Sequence, residues 1–215
     1  MIRYIRIPKR SSTSQWGTVI SDRAGGAPGT ATDSYESLAR LPAVVYKLGH
    51  YGVALGVYAP VVAWLLGRGL AALALGGGVV LLWLAMLPDL DTQLPGMSHR
   101  GLTHTFLFAL AVGVAVGLVA EFAIAPTVGQ FGAVAWVGVP GFRTGLGEFG
   151  FLIGTLAVLS HLLADVITPM GIRPFWPLWG RSFSLDITPA KSTVANYVLL
   201  AAGSFLAASA ALTSI

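Results

Sequence analysis

The groups in this chain that can do chemistry are few, and they collect where long apolar stretches begin or end. Only four histidines and nine acidic residues occur among its 215 residues. The candidates beside the apolar stretches are all four histidines and three of the aspartates: His50, Asp89, Asp91, His99, His104, His161 and Asp165. Because ionisable groups near a bilayer are costly and rare, their convergence indicates a functional site.

Imidazole together with carboxylate is typical of a site for a divalent metal. The chain has no cysteine, which excludes disulfides, thiolate ligands and cysteine nucleophiles. Nitrogen and oxygen ligands suit Zn²⁺, Mn²⁺ or Fe²⁺, and among these we expect zinc. Seven candidates exceed what one tetrahedral ion needs, so we predict a site of one or two ions. Two-ion sites favour phosphate ester hydrolysis, because the attacking and the leaving oxygen are both stabilised.

Two short spacings give this prediction its local geometry. His161 and Asp165 are four residues apart, so they stack on one helix face and can bind one ion or orient each other. The structural alternative is a hydrogen bond that only stabilises the bundle. Asp89 and Asp91 are two residues apart and cannot share a helix face. In an extended turn both can reach one site, or they can end a helix as solvated acids.

The segment around Gly101 brings two further histidines. On a continuous helix His99 and His104 would diverge by about 140°, so we place His99 in a turn and His104 on the following helix. Arg100 lies between them, and its forked guanidinium matches phosphate oxygens. We predict Arg100 as the catalytic phosphate clamp, with an ordinary loop charge as the alternative. His50 is either a further ligand or an interfacial anchor.

The composition indicates an integral membrane protein. The chain is 55% hydrophobic and 10% charged, whereas soluble domains carry about 25% charged residues. We predict an all-α polytopic bundle of five transmembrane helices, since backbone groups in lipid must be satisfied internally. We expect the spans near residues 50–66, 70–87, 102–125, 148–167 and 193–212. Residues 1–47 are expected to form a flexible cytoplasmic tail, and residues 48–215 the transmembrane hydrolase domain.

The basic residues predict an orientation. Apart from Arg68 and Arg143, all of the 13 lysines and arginines fall on the N-terminal side of the five-span topology. The positive-inside rule therefore predicts a cytoplasmic N-terminus, and it explains the pI of about 9.7 without a nucleic-acid partner. The same topology puts the seven candidate ligands at the cytoplasmic interface of an inner (plasma) membrane.

Five short motifs resemble those of the YdjM-type membrane-bound metal-dependent hydrolases: Leu87–Asp91, His99–His104, Leu159–Asp165, Thr168–Gly171 and Trp176-Pro177. The resemblance covers about residues 48–190, and His50 fits the early histidine of the pattern. It implies a metal site and a membrane-bound hydrolase. The order of the ligands is also similar to zinc-dependent phospholipase C and the S1/P1-type nucleases. Those enzymes have further downstream histidines, but no histidine follows His161 here, which favours one or two ions over three.

These observations predict a phosphoric ester hydrolase that acts on a lipid-type or small-molecule phosphoester in the bilayer. A metal-ion or proton transporter is one alternative, because ionisable groups in a bundle also mark ion pathways. A structural protein with a helix-stapling metal is another. The segment Arg173–Leu185 combines aromatic side chains with cations. It is either an interfacial belt or a surface lid that touches lipid head groups.

Overall fold

Five long helices dominate the computed structural model, which describes residues 42–93, 100–128 and 143–214. They are α1 (Pro42–Leu66), α2 (Ala71–Leu84), α3 (Phe106–Val119), α4 (Gly145–Val166) and α5 (Thr193–Leu212). A 3-10 helix, Pro88–Gln93, follows α2, and a shorter one, Leu102–His104, precedes α3. A π-helical turn, Ala120–Ile124, and a last α-helical turn, Ala125–Val128, extend α3. Within the described ranges there is no β-strand beyond a single isolated bridge.

All five helical segments are long and apolar enough to cross a membrane. The predicted all-α, five-span architecture is therefore confirmed. The first candidate span, Lys47–Leu66, agrees with the span predicted near residues 50–66, and α1, which contains it, begins earlier, at Pro42. Residues 1–41 of the predicted tail lie outside the described residues, so the tail stays a prediction. Hydropathy marks where a helix enters lipid, here near Lys47, and a helix can start before that point. The cytoplasmic N-terminus stays a prediction.

Helix α4 is the centre of the bundle. Of its membrane-spanning window 61% is buried, against 11% for α5, and α4 packs against α1, α2 and α3. Glycines permit close approach to α3: a Cβ on Gly154 would lie 2.9 Å from the carbonyl oxygen of Val112. Small residues at such crossings let helix backbones touch where no hydrophobic effect drives association. This packing places the end of α4 that contains His161 and Asp165 beside the start of α3.

Helix α5 packs on α1 at an equally close crossing. A Cβ on Gly203 would overlap the backbone carbonyl of Gly52. The contact holds α5 against α1 two residues from His50, which is itself only 4% exposed. Close packing between α1 and α5 thus fixes the part of α1 that carries this candidate ligand.

The loop between α4 and α5 folds back over one end of the bundle. Ile172 and Phe183 form an antiparallel bridge, with backbone bonds of 2.9 and 2.8 Å. The backbone N–H of Leu185 donates to the carbonyl of Val166 at 2.7 Å, and that of Phe106 donates to the carbonyl of Pro174 at 2.8 Å. The loop is therefore tied both to the end of α4 and to the start of α3.

Candidate metal centre

The orientation of His161 is fixed by a backbone carbonyl. The side chain is fully buried on α4, and its Nδ1 lies 2.8 Å from the carbonyl oxygen of Ala85, just after α2. A carbonyl oxygen can only accept, so Nδ1 carries the proton and donates it. In the neutral imidazole, Nε2 then offers its lone pair, which is the arrangement of a metal-ligating histidine.

His104 is also oriented through its Nδ1, but by side chains rather than by a backbone carbonyl. It ends the 3-10 helix before α3 and is fully buried. The hydroxyl of Thr103 donates to Asp91 Oδ2 at 2.8 Å, so its oxygen can accept from Nδ1 of His104 at 3.0 Å. Asp91 Oδ2 itself lies 3.5 Å from the same Nδ1. Both acceptors engage Nδ1, and Nε2 of His104 is left to face the interior.

The two Nε2 atoms converge on one point together with two carboxylates. They lie 3.3 Å apart. Asp89 Oδ1 is 3.4 Å from Nε2 of His161 and 3.6 Å from that of His104. Asp165 Oδ2 is 3.3 Å from Nε2 of His104 and 3.6 Å from that of His161. Two ligands about 2.1 Å from a tetrahedral ion are separated by about 3.4 Å, so these distances fit a divalent cation.

His50 extends the cluster on the far side of Asp165. Its Nε2 lies 3.6 Å from Asp165 Oδ1, and its ring centroid is 4.4 Å from that of His161. The ligand atoms form two overlapping groups, each within 4.8 Å: one of Asp89, His104 and His161, the other of His50, His161 and Asp165. The arrangement can therefore hold one ion or two.

A model of the YdjM inner membrane protein family matches residues 46–214. The chain belongs to this family. The match includes every candidate ligand and confirms the resemblance that the motifs predicted. With the five apolar helices it identifies a multi-pass membrane protein of an inner-membrane family. No curated protein and no solved structure matches the chain.

In this YdjM-family protein, Asp91 and Arg100 form hydrogen bonds that orient other residues of the cluster. Asp91 accepts from Thr103 and, at 3.2 Å, from the backbone N–H of Arg100, on the Nδ1 side of His104. The guanidinium of Arg100 donates to Asp165 Oδ1 at 2.6 Å through Nη2 and to the carbonyl of Gly171 at 2.9 Å through Nη1. Asp91 and Arg100 thus hold His104 and Asp165 in place. Both roles predicted from the sequence, ligand and phosphate clamp, stay predictions.

The remaining candidate, His99, lies outside the described residues, as does all of 94–99. Its predicted place in the turn before α3 stays a prediction. Among the described ligands Asp89 has the most open side chain, at 21% exposure, whereas those of His104 and Asp165 are at 0% and 1%. Among the described residues, the cluster is therefore most open on the side of Asp89.

The electrostatics of the cluster favour a proton on His104. Burial by itself disfavours the charged form of His104, but the adjacent carboxylates of Asp165 and Asp89 outweigh it. The pKa of His104 is raised to about 8. Metal binding requires the neutral imidazole, so an ion has to displace this proton.

Sequence reasoning missed the groups that orient the ligands. Thr103 gave a weak signal, as a polar residue next to a histidine at a helix start. The carbonyl of Ala85 gave none, because every residue carries one. Thr105 was the easier case: its hydroxyl accepts from the backbone N–H of Phe108 at 3.1 Å and caps α3.

Proposed function

We propose that this protein is a membrane-embedded, metal-dependent hydrolase that cleaves a phosphoester bond, with a lipid-type substrate. The proposal is carried by one observation: two buried imidazoles, each engaged through Nδ1, bring their Nε2 atoms to 3.3 Å. In two neutral rings the Nε2 lone pairs would repel at this distance, and either a proton or a metal cation between them removes the repulsion. Carboxylates of Asp89 and Asp165 complete a set of nitrogen and oxygen ligands, for which zinc is the first expectation and manganese or iron the alternatives.

Asp165 is the natural bridging ligand if two ions bind. Its Oδ2 faces His104 and His161, while its Oδ1 faces His50. A single imidazole nitrogen binds one ion, so His161 serves only one of the two groups, but the two oxygens of a carboxylate can serve one ion each. His50 is then the ligand that distinguishes a two-ion site from a one-ion site.

A bound divalent cation would polarise a phosphoryl oxygen and lower the pKa of a water molecule, the two contributions that phosphoester hydrolysis needs. The chain's own residues would keep the ligands in place. Asp91 and Thr103 prevent rotation of the His104 ring, and Arg100 fixes one oxygen of Asp165. Asp89, the most open ligand, borders the approach for substrate.

The position of the cluster supports a lipid substrate. His50, His104 and His161 lie near the ends of membrane-spanning segments rather than at their middles. Phosphate head groups occupy that depth in a bilayer. The excess of lysine and arginine on the N-terminal side favours the cytoplasmic face.

Metal content and hydrolysis of the full-length protein test the proposal together. Purified protein loaded with Zn²⁺ and then desalted is expected to retain one or two equivalents by elemental analysis. The variant His161→Ala with Asp165→Ala should retain none, whereas Asp186→Asn, which changes an exposed aspartate in the loop between α4 and α5, should bind as the parent does. Unchanged zinc content in the double variant would contradict the ligand assignment.

Hydrolysis is measured on bis(p-nitrophenyl) phosphate and on phospholipid vesicles, before and after chelation. We expect turnover that chelation removes and added Zn²⁺ restores. Zinc binding without cleavage of either substrate would refute the proposed hydrolase activity. Zinc flux across liposomes by the same preparation would then establish the transporter in its place.

A further inference from the structure

The loop after α4 exposes apolar side chains beside the candidate metal centre. We name residues Met170–Ile187 the interfacial loop. Side chains between 41% and 95% exposed include Met170, Trp176, Leu178, Trp179, Leu185 and Ile187. Soluble surfaces rarely show so many large apolar groups together. A set of this kind on one loop indicates contact with something other than water.

The exposure belongs to an ordered loop rather than to a loose segment. The bridge between Ile172 and Phe183 closes it, and aromatic contacts fill its inner side. Phe175 packs edge-on against Phe106 and Phe183, with centroids 5.1 and 6.0 Å apart. The bridge and the aromatic contacts therefore hold in place the backbone from which the exposed apolar side chains project.

Cations accompany these apolar groups. Arg173 and Arg181 are exposed, and the guanidinium of Arg181 lies 5.7 Å from the ring of Trp179 and 5.8 Å from that of Phe183. Neither arginine pairs with a carboxylate in the part of the chain that the structure describes. The only acidic residue of the interfacial loop is Asp186, so its net charge is positive.

We propose that the interfacial loop binds the head groups of anionic lipids, with the arginines on lipid phosphates and the exposed aromatic and aliphatic tips among the upper acyl carbons. The loop connects the ends of two membrane spans, so it lies at the depth where head groups are found. Aromatic rings prefer this region, and exposed cations there are attracted to anionic lipid.

This binding surface is continuous with the candidate metal centre. Arg100 donates both to Gly171 in the interfacial loop and to Asp165 in the cluster. A lipid held by the loop would therefore sit next to the ligands. The inference does not depend on the proposed hydrolysis, because lipid binding is measured without turnover.

Tryptophan quenching by brominated lipids tests the proposal on the full chain in nanodiscs. The quencher is carried either by phosphatidylglycerol or by phosphatidylcholine, and each brominated lipid is titrated over the same range of mole fractions. The signal of Trp179 is obtained by subtracting that of Trp179→Phe. At low salt we expect half-maximal quenching of Trp179 at about fivefold less phosphatidylglycerol than phosphatidylcholine, for each arginine that engages a phosphate. Salt should reduce the preference.

Arg181→Gln should remove most of this preference, and Arg173→Gln should weaken it. Arg68→Gln is the matched control, because Arg68 lies 3.7 Å above the ring of Trp64 at the opposite end of the bundle. Equal quenching by the two lipids in the parent protein would overturn the proposal, as would an equal effect of Arg68→Gln. Absence of quenching by either lipid would show that the loop does not touch the bilayer. Circular dichroism of each variant is the folding control. An unchanged spectrum shows that a lost preference for phosphatidylglycerol does not result from unfolding.

Discussion

Replacement of Asp91 by asparagine separates an orienting group from a metal ligand. Asp91 Oδ2 is 3.5 Å from Nδ1 of His104, on the opposite side of the ring from Nε2. An ion about 2.1 Å beyond Nε2 would be about 5 Å or more from this carboxylate, far outside bonding distance. Asp91→Asn keeps the shape and removes the charge that favours a donating Nδ1. Losses of about 10- to 100-fold in metal affinity are usual for such outer groups, or about 1.4–2.7 kcal/mol.

The assay is competition for Zn²⁺ against a fluorescent chelator, with the number of ions counted separately. We expect Asp91→Asn to bind the parental number of ions with the weaker affinity just given. Loss of one full equivalent would refute the reasoning and make Asp91 a ligand. A zinc affinity equal to that of the parent protein would show that Asp91 does not orient His104. Thr103→Val interrupts the same network, so its effect should add less than fully to that of Asp91→Asn.

Three further outcomes follow from the described contacts. Because carboxylates raise the pKa of His104 to about 8, zinc affinity should fall about tenfold per pH unit below that value as the proton competes; calorimetry in buffers of different ionisation heat would detect the released proton. Gly203→Ala places a methyl group on the carbonyl of Gly52, and we expect about 1–3 kcal/mol of destabilisation, read as a lower Tm, whereas Ser204→Ala on the exposed face should change little. The carboxylate of Glu121 accepts from the backbone N–H and the hydroxyl of Thr144 at the start of α4; Glu121→Gln should lower Tm but leave zinc affinity unchanged, since it acts at the other end of the helix.

The helices and their number could be predicted because lipid imposes strong rules on sequence. A segment in hydrocarbon has to be apolar and helical, so the five spans are visible in composition alone. The start of α1 at Pro42 was not predictable this way, because the apolar span begins only at Lys47 and hydropathy does not mark the helical residues before it.

The sequence could predict which residues come together in the candidate site, but it could not predict how their side chains are oriented. Topology brings His50, Asp89, His104, His161 and Asp165 to one end, and the structure joins them within short distances. Which imidazole nitrogen faces inward depends on hydrogen bonds that sequence spacing does not encode. Arg100 shows the same limit: its position between two histidines did not indicate that its guanidinium donates to Asp165 and to the carbonyl of Gly171.

The hydrogen bond from His161 to the carbonyl of Ala85 makes the cluster depend on chain length more than on side-chain identity. A backbone carbonyl survives any substitution at position 85 that preserves the fold. Insertion or deletion of one residue between Leu84 and Pro88 would rotate the carbonyls after α2 by about 100° and move Asp89 with them. This junction should therefore tolerate residue changes well and tolerate changes in length poorly, which a deletion and substitution scan over positions 84–88, read by zinc retention, would reveal.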